Sequence, residues 1–142
     1  MMLIKEIAVN VNILNSRIKK NFFDRLQENG INITPEQYLV LDILWEKPSL
    51  SQQSIADIIQ KDKNSVTKII DSLEKKNLVK RVVDKKDRRI NKIELTDESV
   101  ALEKSTTEVA INFMNDVVKD IDNKDLDTFV NVMRKLKNNL EG

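Results

Sequence analysis

Glycine and proline together occupy four of the 142 positions, Gly30, Gly142, Pro35 and Pro48. Turn-rich backbone draws on these two residues, so a chain this poor in them is expected to be mainly helical rather than a β-sandwich or barrel. The same scarcity excludes the glycine-rich loops that cradle nucleotide phosphates.

Hydrophobic spacing agrees with helix. Ile4, Ile7, Val11, Leu14, Ile18 and Phe22 recur three or four residues apart, which predicts an amphipathic helix stopping near Asn29-Gly30. Thr34 as cap, Pro35 in the first turn and Gln37 completing a capping box predict a second helix, with Tyr38, Leu41, Leu44 and Trp45, that ends before Pro48. Ser51 is placed to cap a short third helix carrying Ile55, Ile58 and Ile59. Asp62 is placed to cap a fourth, with Val66, Ile69, Ile70 and Leu73 on one face, and Asn77 can take the left-handed turn that ends it.

From Leu78 the period changes. Residues 78–84 and 89–95 are rich in β-branched side chains and flank Lys85-Lys86-Asp87-Arg88, which reads as a two-stranded hairpin. Thr96, Asp97 and Glu98 then open a long helix with Val109, Phe113, Val117 and Ile121 along one side, broken at Asp122-Asn123. Leu126, Phe129, Val130, Met133, Leu136 and Leu140 mark the last helix. The expected fold class is all-α with a small β-hairpin wing. At about 150 residues per domain, residues 1–142 read as a single domain.

Composition narrows the function. The chain has no cysteine and no histidine, so it lacks disulfides, thiolate and imidazole metal ligands and the commonest general base. No nucleophile, acid and base converge at helical or turn spacing either, and the chain is read as a non-enzyme without cofactor or metal. Asp116, Asp120, Asp122, Asp125 and Asp127 lack the glycine and loop pattern of a calcium site, and helix capping explains several of them. No apolar run reaches the roughly 20 residues that span a bilayer, and Met1 to Glu6 lacks the cationic start of a secretory signal, so a soluble cytoplasmic protein without membrane contact is expected.

Charge is more informative than its total. Between Lys61 and Lys92 stand twelve basic and five acidic residues, a net +7, while the whole chain carries +1. A near-neutral sum therefore hides a polarised molecule, as expected of a protein that meets a polyanion with one surface. Short helix, turn, helix and β-hairpin from Ser51 to Leu95 have the order of a winged helix-turn-helix, with the helix after Asp62 placed to read a major groove of double-stranded DNA. Lys63, Asn64, Ser65, Thr67 and Lys68 fall in its first turns, where side chains reach base edges. Ser51, Gln52 and Gln53 open the preceding helix, whose free N–H groups suit a phosphate. Lys85, Lys86, Arg88 and Arg89 form a cationic tip able to follow the backbone or enter a minor groove, and Asp87 among them is expected to pair with a neighbouring arginine and aim it. Lys75, Lys76 and Lys80, taken alone, read as solvated charge.

These residues resemble the MarR family of transcriptional regulators. The likeness is carried by Ile33-Thr34-Pro35-Glu36-Gln37, by Ser65 to Glu74, and by Leu78-Val79-Lys80-Arg81, Asp87-Arg88-Arg89 and Leu95-Thr96. It implies a winged-helix part at 31–96, dimerisation helices at 1–30 and 97–142, a homodimer on a pseudo-palindromic operator, and repression relieved by a small ligand bound between the two parts. With no cysteine or histidine, thiol and zinc sensing are closed, leaving a small apolar or anionic organic effector. Ser16, Lys20, Tyr38, Trp45 and Phe113 are its candidate pocket, by helix order. The chain departs from the family pattern at Gln60-Lys61, where a glycine and an apolar residue are typical, and at Asn64, where a small residue is common. Asn77 replaces a glycine, and the stretch from Thr96 to Ser99 also lacks one.

The apolar stripes of the terminal helices are too many for a thin domain to bury alone, which independently favours a homodimer. The alternative reading is a winged-helix module whose basic face contacts an acidic protein without DNA binding.

Overall fold

The computed structural model describes residues 2–141. Its elements run α1 (Met2–Glu28), α2 (Pro35–Glu46), β1 (Ser49–Ser51), α3 (Gln52–Ile59), α4 (Lys63–Lys75), β2 (Val79–Val83), β3 (Asn91–Leu95), α5 (Asp97–Val117) and α6 (Asn123–Leu140). Two compact units form, one ending at Ala110 and the other starting at Ile111, with the boundary inside α5. None of the described helices is long and apolar enough to cross a membrane.

The core of the first unit takes Leu41, Leu44, Ile55, Val66, Ile70 and Leu73 from the predicted stripes and adds Leu26, Val40 and Ile93, while Ile58, expected on the apolar face of α3, is 49% exposed. Leu26, Ile33, Val40, Leu41, Leu44, Ile55, Val66, Ile70, Leu73 and Ile93 are all essentially inaccessible. The caps form as their chemistry dictates. Thr34 Oγ1 accepts from Gln37 N at 3.1 Å while Gln37 Oε1 accepts from Thr34 N at 3.0 Å, the reciprocal box that satisfies two orphan donors at the start of α2. Ser51 and Asp62 cap α3 and α4 through the backbone N–H three residues on. At α5, Thr96 and Ser99 trade side-chain and backbone bonds at 3.1 and 3.2 Å. Only Thr96 separates β3 from α5, so the sheet runs straight into the helix.

The structure corrects the sequence reading in two places. The β2–β3 hairpin forms as expected, but β1 joins it to give an antiparallel sheet ordered β1-β3-β2, with Ser49, Leu50 and Ser51 opposite Glu94, Ile93 and Lys92. Three residues are too short to show a strand period, yet β1 completes the ladder on the free edge of β3. β2 and β3 are also shorter than expected, leaving Asp84 to Ile90 as a loop closed by Asp84 N to Ile90 O at 2.9 Å. The second correction concerns α5, which stops at Val117, so Ile121 lies outside it and is 47% exposed. Asp120, at φ 61°, turns the chain into the left-handed region before α6 begins.

In the second unit, α6 buries none of its residues, and its apolar side chains from Phe129 to Leu140 stay open. Ile4, Ile7, Val11 and Leu14 on α1 are likewise exposed, at 45–68%.

Candidate nucleic-acid interface

The turn between α3 and α4 depends on Gln60, which sits at φ 53° and ψ 47° as the left-handed cap of α3. That conformation lets Lys61 N reach Ala56 O at 3.2 Å and redirects the chain toward Asp62. Gln60 thus adopts the backbone for which glycine is the usual choice. Asp62 accepts from the backbone and hydroxyl of Ser65, and these bonds hold its carboxyl below the usual range.

Five of the polar side chains expected at the interface are engaged internally. The Ser65 hydroxyl donates to Asp62. The Thr67 hydroxyl donates to Lys63 O at 2.9 Å and accepts from Gln52 Nε2 at 2.6 Å, which ties α3 to α4. Ser51 holds Ser54, and Gln53 Nε2 donates to Asp57 Oδ1 at 2.9 Å. Lys63, Asn64 and Lys68 remain exposed, and no hydrogen bond of their side chains occurs among the described residues.

The other end of α4 is anchored by residues whose positioning role the sequence reading missed. Gln37, 5% exposed, donates Nε2 to Ser72 Oγ at 2.9 Å. Its Oε1 also accepts from Lys76 Nζ at 2.8 Å, and Lys76 reaches Asn32 O at 3.0 Å. Burial lowers the pKa of Lys76, whose acceptors are neutral; this lysine is a bolt between α2 and α4, not a surface charge. Arg81 on β2 forks onto Asp71 at 2.6 Å and Glu74 at 2.8 Å, fixing the sheet against α4. Spacing gave one usable signal here: Asp71 and Glu74 lie three apart on a helix and share a face.

At the wing tip, Asp87 engages Arg89 as anticipated. Arg89 donates its backbone N at 3.0 Å and its guanidinium Nε and Nη2 at 3.1 Å. The pairing lowers the Asp87 carboxyl and raises the Arg89 guanidinium. Lys85, Lys86 and Arg88 form no ion pair among the described residues and stand in solvent. Between the wing and the start of α3 lies a cleft of ≈ 280 Å³, lined by Ser51, Gln52, Gln53, Lys63, Arg89, Ile90 and Asn91. Five residues predicted to meet DNA therefore border one space, open to an anion at a helix start with two cations at its rim.

The candidate effector residues are gathered only in part. Tyr38 packs edge-on against Trp45, centroids 6.4 Å apart, and against Phe22 at 5.1 Å. Trp45 Nε1 donates to Ser99 O at 3.0 Å. Ser16 and Lys20 are exposed on α1, Lys20 being paired with Asp24 at 3.1 Å. Phe113 is buried on the part of α5 that belongs to the second unit. A groove lined by Trp45, Pro48, Ser49, Glu94, Leu95, Val100 and Glu103 includes none of the other four. Beside Tyr38 the field is acidic: burial, then Glu46, raise the Asp42 carboxyl, the Tyr38 hydrogen bond lowers it, and Glu103 raises it again. Burial and Asp42 raise the Tyr38 phenol in turn.

Two helices joined by a tight turn, the second braced by a three-stranded sheet with a cationic tip, define a winged helix-turn-helix. The family model for MarR matches residues 33–90. The chain is 33% identical over 96 residues to the HTH-type transcriptional repressor MdtR of Bacillus subtilis, an alignment covering 68% of this chain and 61% of that one. It is 38% identical over 88 residues to the HTH-type transcriptional regulator PrsX of Escherichia coli, covering 61% and 52%. Among solved structures it is similar to reduced AbfR bound to DNA, at 25% identity and a TM-score of 0.83 over 99% of this chain and 96% of the other. Residues 33–90 therefore form a MarR-family domain. It spans about half to three-fifths of the length of MdtR and PrsX.

Proposed function

We propose that the protein is a homodimeric, sequence-specific DNA-binding repressor acting in the cytoplasm on a pseudo-palindromic operator. The observation that carries this reading is the cleft between α3 and the wing, where the start of a helix, Lys63 and Arg89 converge on a space suited to a phosphate. Lys63, Asn64 and Lys68 then face a major groove, while Lys85, Lys86 and Arg88 follow the adjacent backbone or minor groove. Gln52 and Gln53 offer backbone N–H groups at the start of α3, while Ser51, Ser65 and Thr67 orient their neighbours, since their side chains are engaged within the fold. The names of MdtR as a repressor and of AbfR as DNA-bound support the same reading.

Fluorescence anisotropy on operator-length duplexes across a salt series tests it. Replacing Arg88 by Ala should weaken binding and flatten the slope of log affinity against log salt by about 0.9 for each phosphate that the variant no longer neutralises. Replacing Lys76 by Met removes an equal charge yet should leave that slope unchanged, because Lys76 is spent inside the fold. No binding at low salt, or the same slope for wild type and Arg88→Ala, overturns the reading and favours a protein-binding module.

An effector held near Tyr38 and Trp45, two of the expected pocket residues, belongs to the same proposal. The acidic field around Tyr38 favours an uncharged aromatic ligand over an anion. In the same assay, neutral phenols should release DNA where benzoate does not; equal inaction of both removes the effector from the proposal.

A further inference from the structure

We propose that Asn64 is the base-reading side chain of α4 and that it reads adenine, so each half-site carries an A·T pair at one fixed position. This rests on the DNA-binding reading above and extends it to the chemistry of the operator.

Elimination comes first. A hydroxyl has one proton to donate, and those of Ser65 and Thr67 are donated to Asp62 and to Lys63 O. Gln52 and Gln53 lie on α3, and each commits one amide N–H, to Thr67 and to Asp57. Lys63 and Lys68 are free, but an ammonium on a long stem is a point charge with donors only and suits phosphate as well as guanine. Among these α4 candidates, Asn64 alone combines an open acceptor and an open donor on a short, two-torsion stem.

Position and chemistry then agree. Asn64 is the second residue of α4 and is exposed, at the helix end that enters a groove in this class of fold. Its neighbours are held: Asp62 caps the helix, and the Gln52–Thr67 bond sets α4 against α3, so the amide projects from a fixed backbone. In the major groove adenine presents an N7 acceptor beside an N6 donor, which a carboxamide matches with two bonds. Guanine presents two acceptors there, leaving the carboxamide oxygen opposite O6.

Selection from a randomised duplex library by wild type and Asn64→Ala tests the assignment. Alanine favours helix and the position is exposed, so the variant should fold, which circular dichroism checks. Wild type should enrich a two-fold symmetric site with one invariant adenine per half. Changing that adenine to guanine should weaken binding about 5- to 150-fold, and 7-deazaadenine, which lacks the N7 acceptor, should also weaken it. Asn64→Ala should accept all four bases there within about twofold, keep its other preferences and keep the salt slope. A site enriched equally by both proteins, or indifference to 7-deazaadenine, overturns the role of Asn64 while leaving DNA binding standing. Failure of wild type to enrich any site sinks both.

Discussion

Gln60 shows how one residue can bear a structural cost that its neighbours require. The αL backbone crowds a Cβ against the following carbonyl, at about 1–2 kcal/mol for an ordinary residue, and glycine escapes that clash. Asn77, at φ 58°, meets the same demand with less strain, because asparagine tolerates αL and its amide reaches Glu98 at 3.3 Å. Replacing Gln60 by Gly should therefore stabilise the fold by roughly 0.5–1 kcal/mol, after the larger entropy glycine gives the unfolded chain. Asn77→Gly should be neutral or slightly unfavourable. Urea denaturation midpoints check the pair, and a Gln60→Gly protein less stable than wild type would show that the Gln60 side chain contributes packing beyond its backbone. The same residue shows what the chain makes legible. A glutamine in place of a glycine raised the question of the turn, but φ depends on the packing of α3 against α4, which no local pattern reports.

At the scale of elements, α4 is seated by polar bonds along its length: Gln52 to Thr67 near the start, and Gln37 to Ser72 and Lys76 near the end. Arg81 adds a link from β2. Helices announced themselves through apolar spacing and caps, and α2, α3 and α4 begin at the expected residues. What spacing could not show is where a polar side chain spends its bonds. Gln37 was legible as half of a capping box, but its second role needs Ser72 and Lys76, 35 and 39 residues away. β1 escaped for a similar reason, since its partners on β3 are more than 40 residues distant. Replacing Gln37 by Leu strands the Lys76 ammonium, the Thr34 N–H and a Ser72 lone pair, a loss of about 2–3 kcal/mol if each group is only partly resolvated. Gln37→Glu keeps both acceptor roles and adds charge opposite Lys76, so it should lose less than about 1 kcal/mol. Equal destabilisation of the two in urea would mean that side-chain shape, not the bond network, holds α4.

For the whole molecule the open question is what covers the terminal helices. On α6, Phe129, Met133 and Leu136 fall four and three residues apart and are 38–50% exposed, and the apolar residues of α1 are as open. A half-exposed aliphatic side chain has about 1 kcal/mol still to gain on burial. The seven named, Ile4, Ile7, Val11 and Leu14 with Phe129, Met133 and Leu136, therefore offer each chain a gross gain of order 7 kcal/mol, against an association cost of about 4–15 kcal/mol per dimer. Two chains contribute such surfaces, so the balance favours pairing. Because no residue of α6 is fully buried within one chain, substitutions there test association with little disturbance of a core. Wild type should sediment at twice 16.4 kDa at micromolar concentration. Met133→Glu with Leu136→Glu should sediment as a monomer with unchanged helical content. Separating the protomers also removes the gain from binding two half-sites at once, so the paired variant should lose about 100-fold or more in operator affinity while retaining weak binding to a single half-site. A monomeric wild type, or a variant that stays dimeric, would place the dimer interface elsewhere and leave these apolar faces without a role.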